Sequence, residues 1–205
     1  MIKGQRRRLL GAGGAILFAA GPLGSLAGCA STLGDGGWTT LVDGSRMPEG
    51  WKPLGEGNWR IAEGSLEGIN GKGGFLVSPQ SYSDFELRAE FWGRADTNSG
   101  IFIRCQDPAK VAATSSYEVN IWDSRPDPIY GSGAIVDFGR VTRPYPKIAD
   151  RWNSMEVVAR GTRLTVTLNG QQTVDIVNDK FRSGPIALQS AGGTIRFRRV
   201  QIRPV

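Results

Sequence analysis

Between Phe85 and Asp123 the sequence sets carboxylates, guanidinium groups, an amide and aromatic rings at alternating positions. Glu86, Arg88, Glu90 and Trp92, then Phe102 and Arg104, then Glu118, Asn120 and Trp122 are all even-numbered. The odd positions between them are apolar: Phe85, Leu87, Ala89 and Phe91, then Ile101, Ile103 and Cys105, then Tyr117, Val119 and Ile121. In a strand such alternation sends the two sets to opposite faces, so the odd residues predict a core and the even ones a second face. Trp92, Phe102 and Trp122 are costly to leave in water, while Glu90, Arg104, Glu118 and Asn120 are costly to bury unpaired. Flat rings beside carboxylate, amide and guanidinium suit a sugar, whose C–H face stacks and whose hydroxyls hydrogen-bond. Glu86 and Arg88 fit a solvated sheet face. For the others the alternative is a face covered by the Arg125–Asp150 segment.

Composition narrows the chemistry. The 205 residues contain no His and two Cys. Ser-His-Asp and Cys-His nucleophile systems and His-based zinc sites are therefore excluded, and two thiols build neither a Cys₄ metal site nor a disulfide scaffold. Proton transfer must fall to Asp, Glu, Lys, Tyr or Cys. Cys105, in phase with Ile101 and Ile103, reads as a small core residue rather than a nucleophile.

The elements that must position these groups are strands. No stretch carries helical periodicity, whereas short alternating runs recur between turn signals. Leu164, Val166 and Leu168 alternate with Thr165 and Thr167, and Asn169-Gly170 then marks a tight hairpin. Glu63-Gly64 and Arg160-Gly161-Thr162 join further pairs of runs. Ile195 and Phe197 differ in parity from Val200 and Ile202, which predicts a bulge at Arg198-Arg199. Roughly a dozen such runs predict an all-β sandwich or barrel. Pro126, Pro128, Pro144 and Pro146 make Arg125–Asp150 a loop region, with a short strand expected at Ala134–Val136.

The chain opens with Lys3, Arg6, Arg7 and Arg8, then an apolar run from Leu9 to Ala20. That is the layout of an export signal, and Arg6–Leu10 fits the twin-arginine form. Leu26-Ala27-Gly28-Cys29 resembles a lipobox, with Cys29 as the lipidated residue. We therefore expect a signal peptide at 1–28, a lipidated tether at 29–36 and one domain at 37–205, carried on the membrane of the cell envelope. The whole chain has 25 basic and 19 acidic residues, a net charge of +6. Cleavage removes four basic residues and no acid, leaving 21 against 19. A nucleic-acid stripe is not supported by so even a balance.

Ser81–Cys105, YEVNIWD (Tyr117–Asp123), RWNSMEVVARG (Arg151–Gly161), GPIALQ (Gly184–Gln189) and IRFRRVQIRPV (Ile195–Val205) resemble, in order, the motifs of the 3-keto-disaccharide hydrolase domain family. GWTTLVDG (Gly37–Gly44) is similar to that family's opening. The resemblance implies a concanavalin-A-like jelly-roll β-sandwich and cleavage of glycosides oxidised to a ketone at C3. A C3 ketone acidifies the C2 proton, so a base can remove it and the C1 substituent can leave; water then adds.

On this sequence the resemblance implies Glu118 as base or acid and Arg104 as partner of the enolate oxygen or of substrate hydroxyls. Asn120 and Asp123 are expected to bind substrate or a divalent metal ion, and Trp92 or Trp122 to form a sugar platform. Asp96, Asn98 and Ser99 fit either substrate contacts or a tight turn. Glu118 fits either catalysis or an ion pair with Arg104. Many members carry a His shortly after the Leu-Gln of the penultimate strand; here Leu188-Gln189 is followed by Ser190-Ala191-Gly192. A non-catalytic carbohydrate-binding lipoprotein is the alternative function.

Overall fold

The computed structural model describes Met1 and residues 33–69 and 71–205. The expected signal segment, Cys29 and the first part of the tether lie outside the described residues. Fourteen strands follow one another with no α-helix among the described residues. They are β1 (Leu33–Gly34), β2 (Trp38–Val42), β3 (Lys52–Leu54), β4 (Trp59–Ala62), β5 (Ser65–Ile69), β6 (Gly74–Tyr82) and β7 (Phe85–Gly93). Then come β8 (Ser99–Ile103), β9 (Tyr117–Ile121), β10 (Arg151–Arg160), β11 (Arg163–Leu168), β12 (Gln171–Val177), β13 (Gly184–Ser190) and β14 (Thr194–Pro204).

They form two antiparallel sheets, packed as a jelly-roll sandwich. The larger runs β1-β2-β14-β7-β10-β11-β12, with β5 also paired to β14 and β4 to β5; the smaller runs β3-β6-β13-β8-β9. Alternation explains the layer between them. Leu87 and Phe91 of β7, Val157 of β10, Val166 of β11 and Phe197 of β14 meet Leu76, Ile101, Val119, Ile186 and Leu188 of the smaller sheet in one buried cluster. Each such side chain contributes about 1.5–3 kcal/mol of burial.

The turns fold as their residues dictate. Glu63-Gly64 and Asn169-Gly170 both adopt positive φ at two consecutive positions, which closes β4–β5 and β11–β12 as tight hairpins. The bulge foreseen at Arg198-Arg199 is present, where the β14–β7 register shifts between Phe197 and Arg199. Ala134–Val136 does not form a full strand. It makes isolated bridges, Ile135 to Val119 and to Gly139, along the β9 edge.

One expectation is corrected by the topology. β7 lies in the larger sheet, while β8 and β9 lie in the smaller. The Arg94–Asn98 connection crosses between sheets, so the shared parity of three consecutive strands does not put their even residues on one face. Those of β7 face out from one side of the sandwich, and those of β8 and β9 face out from the other.

Candidate functional site

The outer face of the smaller sheet collects Glu118 and Asn120 from β9, Gly100 and Phe102 from β8, and Ala187 and Gln189 from β13. The register pairs Phe102 with Glu118, Gly100 with Asn120, and Ala187 with Phe102. The next step of the β13–β8 register sets Gln189 opposite Gly100. At one end of this face the β8–β9 connection brings Val111 onto Phe75, Val77, Phe102, Cys105 and Ala187, a second apolar cluster. Phe75 and Phe102 meet edge to face, with ring centroids 5.1 Å apart.

Glu118 is the chemical centre of this face. Only 8% of it is exposed, and its carboxylate has no hydrogen-bond donor or ion-pair partner among the described residues. Burial pushes its pKa up to about 7; nearby Asp137 adds to the rise, and Arg125 opposes it. A carboxyl so placed is divided between its two forms near neutral pH and can both take and return a proton. Gly100 has a clear spatial reason here: a Cβ at that position would stand 3.3 Å from Glu118 Cγ and 3.3 Å from a Phe102 ring carbon.

Two buried amide oxygens on the same face as Glu118 have no hydrogen-bond donor among the described residues. Asn120 is fully buried, and its Nδ2 donates to the Tyr130 carbonyl at 2.6 Å. That bond orients the amide and leaves Oδ1 without a partner, as is Gln189 Oε1. Buried acceptors without donors are destabilising, and they are complementary to ligand hydroxyls. Trp122 continues the same parity beyond β9, half-buried, with the Arg125 guanidinium 5.5 Å over its ring. The sequence pattern does not mark Gln189 or Arg125 as site residues. Gln189 belongs to the recognised GPIALQ motif, but its place depends on knowing that β13 adjoins β8; Arg125 lies in a Pro-rich loop with no parity to read.

The structure separates Arg104 from this group. Its backbone is left-handed, at φ 53°, so the strand alternation breaks there. The side chain is 0% exposed and turns to the far end of the sandwich. It donates to the carbonyls of Ser83 (2.6 and 2.8 Å), Gly161 (2.9 Å) and Phe181 (3.2 Å), and to Asp84 Oδ1 (3.1 Å). No donor is left for an enolate, and the proposed pairing with Glu118 does not form. The same kink puts Cys105 in the outer-face cluster with Phe102 rather than in the core with Ile101 and Ile103. It is buried there, and desolvation pushes its thiol up to about 12, so it does not act as a nucleophile.

Asp123 is likewise committed. Its carboxylate accepts from Ser132 Oγ (2.7 Å), Ile148 N (2.9 Å) and Ala149 N (3.2 Å), which pins the long loop to the end of β9. Asp123→Ala is expected to lower stability by about 2 kcal/mol by stranding these donors. Hydrogen exchange should quicken first at Ile148 and Ala149; unchanged protection there would refute the latch.

Trp92 stands on the opposite outer face, where Arg196 lies 5.2 Å over its ring. Ser99 is buried and donates to the Gln189 carbonyl, while Asn98 exchanges backbone hydrogen bonds with Ala191 and Gly192. Both hold the turn, and Asp96 is exposed beside Arg94. Among the described residues no three Asp, Glu, His or Cys side chains gather as a metal site.

Residues 37–203 match the sequence model of a family described as the 3-keto-alpha-glucoside-1,2-lyase-like domain. A protein of Parabacteroides distasonis ATCC 8503, provisionally described as a glycosyl hydrolase, is 24% identical with a TM-score of 0.61. The alignment covers 76% of this chain and 99% of that one. A second protein of the same organism and description reaches a TM-score of 0.68 at 17% identity, over 82% of this chain and 94% of its own. The carbohydrate-binding module CBM66 from Bacillus subtilis is similar at 18% identity and TM-score 0.55, over 82% and 95%. These structural likenesses carry the fold. No curated protein sequence matches the chain.

Proposed function

The chain belongs to the 3-keto-alpha-glucoside-1,2-lyase-like domain family, and from that premise we propose that it cleaves glycosides oxidised to a ketone at C3. Family membership supports a carbohydrate-related role. The observation that carries the finer reading is a buried carboxyl with its pKa raised to about 7, on a face that also holds two amide oxygens without donors among the described residues.

In the reaction we propose, the Glu118 carboxylate removes the proton from C2 of the bound ketosugar. The C2–H electron pair moves into the C2–C3 bond, and the C3 carbonyl oxygen takes the negative charge. Arg125, whose charge favours the ionised form of Glu118, is the cation we assign to stabilise that enolate. As the enolate collapses, the C1–O bond breaks, C1=C2 forms, and the aglycone leaves with the proton that Glu118 returns. Water then adds across the double bond to complete hydrolysis, or the unsaturated ketone is released. Asn120 Oδ1 and Gln189 Oε1 accept from sugar hydroxyls, and Trp122 supplies a ring face. This chemistry needs one titrating group near neutrality, so it proceeds without a His. The protein acts, on this reading, as an exported lipoprotein held to the envelope membrane through Cys29.

Incubation with nitrophenyl 3-keto-α-glucoside should release nitrophenol together with an absorbing unsaturated ketone. Binding of the ketosugar without any release would establish the alternative, a carbohydrate-binding module.

A further inference from the structure

The outer face of the larger sheet carries a different surface. Three carboxylates sit low in it, each with two arginines: Glu67 with Arg60 and Arg196, Glu86 with Arg160 and Arg203, Glu90 with Arg198 and Arg199. The carboxylates are the more buried partners; Glu67 and Glu86 side chains are 1% and 18% exposed, against 60% for Arg60 and 62% for Arg160. Guanidinium groups therefore form the outermost layer. Glu63 balances the extra charge on Arg196, but among the described residues no further ion pair joins the Glu86 and Glu90 groups. Arg88 bonds the neutral Gln201 amide at 2.8 Å. Trp38 lies under Arg88 and Arg203, and Trp152 under Arg198. An open groove of about 830 Å³ runs between Arg88, Glu90, Arg198, Arg199 and Gln201.

The arginines named here outnumber the glutamates seven to four; Asp43, which lines the groove, and the exposed Glu156, opposite Arg88 in the register, reduce the surplus on this face to one positive charge. The chain also enters the fold at this sheet. β1 begins at Leu33 and pairs with β2, which carries Trp38. Only Ala30, Ser31 and Thr32 separate Leu33 from Cys29, a span of at most about 14 Å when fully extended. A lipid on Cys29 thus brings this sheet edge to headgroup depth, where tryptophan and arginine are the favoured side chains.

We propose that the outer face of the larger sheet docks on a bilayer containing anionic phospholipid, with Arg88, Arg198 and Arg199 taking headgroup phosphates. This orientation turns the Glu118 face away from the membrane, open to diffusing substrate.

The test uses the processed chain from residue 29 with Cys29→Ser, which keeps all the strand pairs seen among the described residues. It should cosediment with vesicles of phosphatidylcholine and phosphatidylglycerol, and not with phosphatidylcholine alone. Arg198→Ser with Arg199→Ser should weaken binding about 25-fold, at about 5-fold for each guanidinium lost near the surface. Lys52→Ser with Lys110→Ser changes net charge equally on the smaller sheet's side and should leave binding nearly unchanged. Equal loss in the two pairs would reduce the effect to net charge and overturn the proposal. So would failure of the parent to prefer phosphatidylglycerol, or its release by millimolar inorganic phosphate at constant ionic strength, which would mean a soluble-phosphate site. Ketosugar turnover is read separately, so failure of one proposal leaves the other intact.

Discussion

Glu118→Gln should lose turnover of a 3-keto-glucoside by about 10³-fold, within the range for a positioned general base, while its affinity for the ketosugar stays within a few-fold. The amide keeps the shape of the carboxyl but cannot take the C2 proton. In the unsubstituted protein kcat/KM should rise with pH to a plateau beginning near the Glu118 pKa of about 7. The same substitution should change stability in the opposite sense to activity. A carboxyl raised from 4.5 to about 7 by burial holds its proton in the folded chain after the unfolded chain has released it. The folded state then binds more protons than the unfolded, so stability falls as pH rises from about 4.5 to about 7, and is level above. The drop is about 3 kcal/mol at ~1.4 kcal/mol per pKa unit. Glu118→Gln should abolish that slope and be the more stable protein at pH 8, as read by urea denaturation across pH. Retained turnover, or an unchanged slope, would remove Glu118 from the mechanism.

Arg104→Met should act on stability alone. The methionine fills much of the volume but leaves the carbonyls of Ser83, Gly161 and Phe181 and the carboxylate of Asp84 without their donor. Charge-assisted hydrogen bonds of this kind contribute about 1.5–3 kcal/mol each, and partial rescue by water lowers the sum, so a loss of about 4 kcal/mol is expected. Arg104→Lys should recover only part of it, because one ammonium cannot reproduce the planar fork. At a temperature where the folded form persists, kcat should stay within about threefold of the parent, below the 10²-fold expected of a catalytic group. A loss under about 1 kcal/mol with a collapse in kcat would restore the enolate-stabilising role that the sequence suggested.

These two residues show how far the sequence could be read. Alternation placed Glu118 and Asn120 correctly, because β9 is regular and each residue's face follows from its number. It failed at Arg104, where one left-handed residue reverses the sense of the chain, and nothing in Arg-Cys-Gln announces a positive φ. It failed at Trp92 for another reason. Parity describes a strand, and the connection after Gly93 changes sheets. Asn169-Gly170 and Arg198-Arg199 were legible because a turn and a bulge are local. The roles of Gln189 and Asp123 were not, since they depend on β13 lying beside β8 and on a loop returning from Ile148. The lone carboxyl and its orphaned amide neighbours needed the fold to be seen as a group.

The segment Gly133–Val136 also affects how copies of the protein behave together. It takes up the outward backbone groups of β9: Asn120 N donates to Ala134 O, Gly133 N to Asn120 O, and Val136 N to Glu118 O. A bare β9 would be an adhesive edge, ready to accept a strand from a neighbouring molecule. On the lipid anchor proposed above, confinement of many copies to two dimensions would raise the frequency of such encounters. The loop that closes this edge also supplies the Tyr130 carbonyl that orients Asn120. Trimming the loop should therefore cause clumping and blunt sugar recognition in the same variant.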